Sequence, residues 1–98
     1  MSFLEKIFGK KENKTACEYA LAGEYLCAKG QSNKAIKEFD KAIALEPDND
    51  MFYASRSKAY KNIEKYQEAL KDIEIALKMQ PEVALYRKIK RQIMVFID

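Results

Sequence analysis

The stretch 43-IALEPDND-50 breaks off a helical pattern at Pro47 and follows it at once with three candidate caps, Asp48, Asn49 and Asp50. Proline lacks a backbone donor and drives the residue before it out of the α region, so one helix ends near Glu46. Asp or Asn just beyond it can accept from the free N–H groups of a new first turn, so another helix begins near residue 50. The same punctuation returns 34 residues later, where Pro81 stands in 77-LKMQPEVA-84.

Sliding the whole chain by 34 residues lays Tyr19 on Tyr53, Ala20 on Ala54, Ala35 on Ala69, Lys37 on Lys71, Ala42 on Ala76 and Pro47 on Pro81. Ile36/Leu70, Phe39/Ile73 and Ile43/Leu77 keep their apolar character across the same shift. A fixed period in this range marks a repeat architecture. Each unit reads as two helices. Thr15 followed by Glu18 is a capping box, Tyr19, Ala22 and Leu26 carry the apolar period, and Gly30 sits where a helix ends in a left-handed residue. Ala35, Ile36, Phe39, Ala42, Ile43 and Leu45 then form a 3.6-period stripe from about Asn33 to Glu46. In the second unit Phe52, Tyr53, Arg56 and Tyr60 belong to the first helix, and Tyr66, Ala69, Leu70, Ile73, Ala76 and Leu77 to the second. The place of Gly30 falls to Glu64, so that turn either manages without glycine or hands the left-handed position to Asn62. A last helix is predicted from about Glu82 to Phe96.

A 34-residue helix-turn-helix unit with an early aromatic, a small residue one turn on, two alanines in the second helix and a closing proline resembles the tetratricopeptide repeat. Tyr19, Gly23, Leu26, Ala35, Phe39, Ala42 and Pro47 carry the likeness in the first unit, and Tyr53, Ser57, Tyr60, Ala69, Ile73, Ala76 and Pro81 in the second. The resemblance implies an all-α fold of antiparallel helix pairs stacked into a short right-handed solenoid, with the final helix as a solvating cap. The expected organisation is an amphipathic segment and linker over 1–14, then one domain over 15–98. Within it repeat 1 covers about 16–49, repeat 2 about 50–83 and the capping helix about 82–97.

The resemblance also implies a function, capture of a peptide or partner protein on a concave face lined by the first helices. Cys17, Ala20, Leu21, Glu24, Cys27 and Ala28 would line it from the first repeat, and Met51, Ala54, Ser55, Lys58, Lys61 and Asn62 from the second. In this family one version of the groove clamps the acidic C-terminus of a heat-shock chaperone, using Lys and Asn of the first repeat, Asn of the second, and Lys and Arg of the third. The segment 53-YASRSKAY-60 resembles the clamp-bearing helix, but its Asn place is Ser55, and the first-repeat places hold Ala20 and Glu24. A glutamate aimed at a ligand carboxylate opposes binding, so the expectation is against chaperone-tail capture. Arg87, Lys88 and Arg91 leave positive potential near the far end.

Composition excludes much else. The 98 residues hold no histidine, which removes the commonest general base and zinc ligand, and no phosphate-binding glycine loop occurs. No catalysis, cofactor or metal is expected. Cys17 and Cys27 stand roughly 15 Å apart along one helix, too far to bridge. They read as reduced, small apolar residues of a cytoplasmic protein. The net charge of +3 arises from Lys and Arg interleaved with Asp and Glu, so no nucleic-acid footprint forms. Phe3, Leu4, Ile7 and Phe8 make a short apolar face followed by Lys10 and Lys11. Its open uses are packing on the stack, contact of residues 3–11 with a membrane surface, or disorder; packing ranks first because four apolar side chains hold a membrane weakly. Val95, Phe96 and Ile97 are consecutive and cannot all face one interior, which raises burial against the N-terminal segment or association with a second copy. The alternative function is therefore an assembly or membrane-localising piece acting through the two apolar ends.

Overall fold

The computed structural model describes residues 14–97, and among them it holds five helices and no strand. The expectations for Phe3, Leu4, Ile7 and Phe8 lie outside these residues. The helices are α1 Ala16–Ala28, α2 Ser32–Leu45, α3 Asp50–Asn62, α4 Tyr66–Met79 and α5 Ala84–Met94.

Local chemistry sets the boundaries. Thr15 Oγ1 accepts from the Glu18 N–H at 3.1 Å and Glu18 Oε1 accepts from the Thr15 N–H at 2.9 Å, a closed capping box. Of the three candidate caps after Pro47, Asn49 takes the position, its side chain accepting from the Met51 N–H. Gly30 ends α1 at φ 76°, with Gln31 N–H donating to Leu26 O and Gly30 N–H to Cys27 O. The equivalent turn after α3 is built the same way by Glu64 at φ 63°, with Lys65 N–H on Tyr60 O and Glu64 N–H on Lys61 O. Asn62 stays helical, so the left-handed role falls on a residue whose Cβ costs about 1 kcal/mol there. Helix α5 is shorter than the predicted span, because Pro81 and Glu82 remain in the turn before it and the chain leaves the helix at Val95.

A bond that no periodicity reveals ties successive units together. The Tyr53 hydroxyl donates to the Pro47 carbonyl at 2.8 Å. Thirty-four residues on, Arg87 Nη1 donates to the Pro81 carbonyl at 2.9 Å. Each closing proline thus offers its carbonyl to the first helix of the next unit.

Helix α1 packs on α2 and α3 on α4, the pairs join through α2 against α3, and α5 docks on α4. Ala35, Ala42, Ala69 and Ala76 are fully buried, which lets the helix axes approach while Tyr19, Phe39, Phe52 and Ile73 fill the remaining space. The fit is individual to each repeat. A Cβ added to Gly23 would lie 2.6 Å from Phe39 Cε1, whereas the matching Ser57 is accommodated beside the smaller Ile73 register position and donates to Ala69 O at 2.7 Å. Arg56 binds across three helices, with Nε and Nη2 on both Asp72 oxygens at 2.7 and 2.9 Å and Nη1 on Asp40 at 2.8 Å. The bonds from Asp72, then Asp40, outweigh burial and hold the guanidinium above its ordinary pKa. At the chain's end Ile97 turns into the core, Phe96 stacks on Tyr66 at 4.5 Å, and Val95 is left outward.

Candidate functional site

The first helices α1, α3 and α5 touch one another in turn and so share one face of the stack. Side chains connect them along it. Asn62 Nδ2 at the end of α3 donates to Ser32 Oγ at the start of α2, at 3.4 Å. Ser32 in turn bonds the Cys27 thiol, and Lys61 Nζ reaches Gln92 Oε1 on α5 at 3.4 Å. Burial, the largest influence, pushes the Cys27 thiol up; Ser32 and Lys58 oppose the shift and Glu24 adds to it. Charges from α1 and α3 therefore act on one point. A raised thiol is a packing group and a poor nucleophile.

Of the residues expected to line the groove, Cys17, Leu21, Glu24, Met51, Lys58 and Asn62 are exposed, as is neighbouring Ala28. Ala20, Cys27, Ser55 and Lys61 are part-buried. Ala54 departs from the set: 6% exposed, it packs in the core with Ala69, Ile73 and Tyr86, so it shapes the face and offers a ligand little surface. Cys17 and Cys27 lie at opposite ends of α1 and both are free.

From the sequence, α5 was expected to add only positive potential, through Arg87, Lys88 and Arg91, and no lining residue. Lys61, Lys88, Arg91, Gln92, Val95 and Phe96 line an open groove of about 530 Å³ where α3 and α5 end. The signal was available, since the 34-residue register that places Met51, Lys58, Lys61 and Asn62 on the face places Leu85, Gln92, Val95 and Phe96 there as well. By this register helix α5 stands at the place of a third first helix. Leu21, Met51 and Leu85, one on each first helix, are all more than half exposed. Arg87 is withdrawn from the three cations expected at this end by its bond to Pro81, and neighbouring Lys90 is held in an ion pair with Glu74. Among the described residues no cluster of His, Cys, Asp or Glu could hold a metal ion, and no helix is long and apolar enough to cross a membrane.

Paired antiparallel helices on a 34-residue period, with small residues at the crossings and first helices side by side along one face, define a helical-repeat solenoid. The chain belongs to the tetratricopeptide repeat family: the family description "TPR repeat" matches residues 23–63 and "Tetratricopeptide repeat" matches residues 52–83. Protein STIP1 homolog of Dictyostelium discoideum is 33% identical over 67 residues, 68% of this chain and 12% of that protein. The Hsp70-Hsp90 organizing protein of Triticum aestivum is 35% identical over 69 residues, 70% of this chain and 12% of that protein. The chain therefore spans about an eighth of the length of these curated relatives. Among solved structures, the second TPR of Spaghetti (RPAP3) bound to HSP90 peptide SRMEEVD superposes with a TM-score of 0.82 at 24% identity, over 89% of this chain and 81% of that one. The Sgt2 TPR domain from Aspergillus fumigatus gives 0.81 at 20% identity, over 84% and 54%. At these identities the structural likeness speaks for the fold.

Proposed function

We propose that this chain is a protein-interaction module that captures a peptide or a segment of a partner protein along the face of α1, α3 and α5. The observation that carries the reading is the surplus of large apolar side chains on that face. Leu21, Met51 and Leu85 are exposed on successive first helices beside unpaired Lys58 and Lys88, a mixture that suits a ligand offering both apolar and polar contacts. The second TPR of Spaghetti, solved with a bound HSP90 peptide, supports the same use of this architecture. Capture of a free chain terminus by the known clamp is disfavoured, because Ala20, Glu24 and Ser55 occupy its places in the first two repeats.

The test is peptide selection on the purified chain from a random display library, followed by titration of the selected peptides against wild type and a Leu21→Ser/Lys58→Glu variant. Both substituted side chains are exposed, so the helical signal stays intact. Loss of at least tenfold in affinity is expected from removing an apolar anchor and reversing a charge. Unchanged affinity in the folded variant would take this face out of the account.

A further inference from the structure

The charges along the face are not evenly spread. On α1 the face carries exposed Glu24; on α3 come exposed Lys58 and part-buried Lys61; on α5 come exposed Lys88 and Arg91. The ion pairs of the described residues are Lys41–Glu38, Arg56–Asp40, Arg56–Asp72 and Lys90–Glu74, and none uses Lys58, Lys61, Lys88 or Arg91. Elsewhere on α5, Arg87 and Lys90 are bonded within the fold. Several cations elsewhere are unpaired too, but these gather at one groove, where Lys61, Lys88 and Arg91 line the same space.

Beside them stands an apolar lip. Val95 is 76% exposed, and Phe96, also largely exposed, is held by a near-parallel stack on Tyr66 with 5° between the rings. A ring fixed in this way presents its edge and free face at little entropic cost to a ligand. Three cations around such a lip sit next to low-dielectric surface, where attraction to an anion is stronger than over open water. Glu24 at the opposite end of the face repels the same anion, so the potential has a direction.

Building on the groove reading above, we infer that the rim formed by Lys61, Lys88, Arg91, Val95 and Phe96 binds an internal acidic stretch that carries an apolar side chain, with the acidic part over α5. Its side-chain carboxylates meet the cations, its apolar group meets the lip, and the portion that crosses α1 near Glu24 is neutral or basic. This site uses residues other than Ala20, Glu24 and Ser55, which stand at the places of the terminal-carboxylate clamp in the first two repeats.

The probe is an acetylated, amidated, fluorescein-labelled nonapeptide with four glutamates around one leucine, titrated by polarisation into the full chain. Binding is expected to weaken about tenfold or more when the glutamates become glutamines, and likewise in Lys88→Glu/Arg91→Glu. Val95→Ser, at an exposed position with no part in the core, is expected to weaken the leucine peptide and leave a serine-substituted peptide unaffected. Equal affinity of the glutamate and glutamine peptides, or of wild type and the charge-reversed variant with intact helical signal, would overturn the inference. So would binding that requires a free C-terminal carboxylate, or displacement of the peptide by an equimolar thymidine decanucleotide. If the glutamate peptide fails while display-selected peptides bind in a Leu21- and Lys58-dependent way, this inference falls and the groove reading stands.

Discussion

Replacing Arg56 with methionine would strand a carboxylate inside the protein. Asp72 is 3% exposed, and both of its oxygens are satisfied by Arg56. Breaking a buried ion pair from one side typically costs about 3–5 kcal/mol, because the remaining charge keeps its desolvation penalty and loses its partner. The guanidinium also lies 5.8 Å from the Tyr53 ring centre and 5.9 Å from that of Tyr60, contacts that methionine retains only in part. Stability of roughly 5–10 kcal/mol is the range for a chain of this size, so the single change should remove a large share of it. Asp40 is about half exposed, and Asp40→Asn should cost less than about 1 kcal/mol. Urea unfolding followed by helical circular dichroism reads all three proteins. The double change Arg56→Met/Asp72→Leu removes both charges together and should recover most of the loss, since a packed apolar pair can match a buried ion pair. A loss below about 1 kcal/mol for Arg56→Met, or a double variant no better than the single, would refute the account of Asp72 as a desolvated anion.

Gly23→Ser should destabilise by about 1–3 kcal/mol through its clash with Phe39, and Phe39→Ile in the same chain should relieve part of that clash by copying the second repeat's Ser57 and Ile73; thermal melting of the three proteins checks it. Glu64→Gly should stabilise by up to about 1 kcal/mol by removing Cβ at a left-handed position, measured as a higher urea midpoint at unchanged slope. Burial first, and then the bond to Asp50, push the Tyr86 hydroxyl up to about 12. A folded pKa above the unfolded value near 10 gives stability that is complete below pH 10 and lost as pH rises through 12, so wild type should lose roughly 2 kcal/mol more than Tyr86→Phe over that window in pH-dependent unfolding.

How far the sequence could be read follows from what fixes each residue. Ala35, Ala42, Ala69 and Ala76 are set by the distance between helix axes, and the demand repeats with the helices, so the alignment by 34 residues finds them. Pro47 and Pro81 are legible for the same reason. The turn at Glu64 was ambiguous because hydrogen bonds on both sides can hold an unbranched residue at φ near 63° despite the cost of its Cβ, and composition does not show those bonds. Ala54 was misplaced on the face because register alone does not say how deeply α3 sits between α4 and α5. The four basic residues Arg87, Lys88, Lys90 and Arg91 look alike along the chain. Only their partners separate the two that hold the fold from the two that face the groove.

That separation bears on how binding and folding are joined in so short a stack. Helix α5 packs on α4 and α3 through Tyr86, Ile89 and Ile93 and the bond from Tyr86 to Asp50 on α3. Among the described residues it is packed by fewer helices than α3, and an element with fewer packed neighbours opens more readily. The groove residues straddle the same junction, with Lys61 on α3 and Lys88, Arg91 and Gln92 on α5. A ligand that needs both helices binds only when α5 is docked. By mass action it adds about 2.7 kcal/mol at a hundredfold excess over its dissociation constant, a sizeable fraction of the stability such a chain possesses. The converse holds with the same magnitude: whatever loosens α5 weakens the ligand. Placing the cations at the junction of α3 and α5 therefore couples recognition to the docking of α5, which a site built within one repeat would not do.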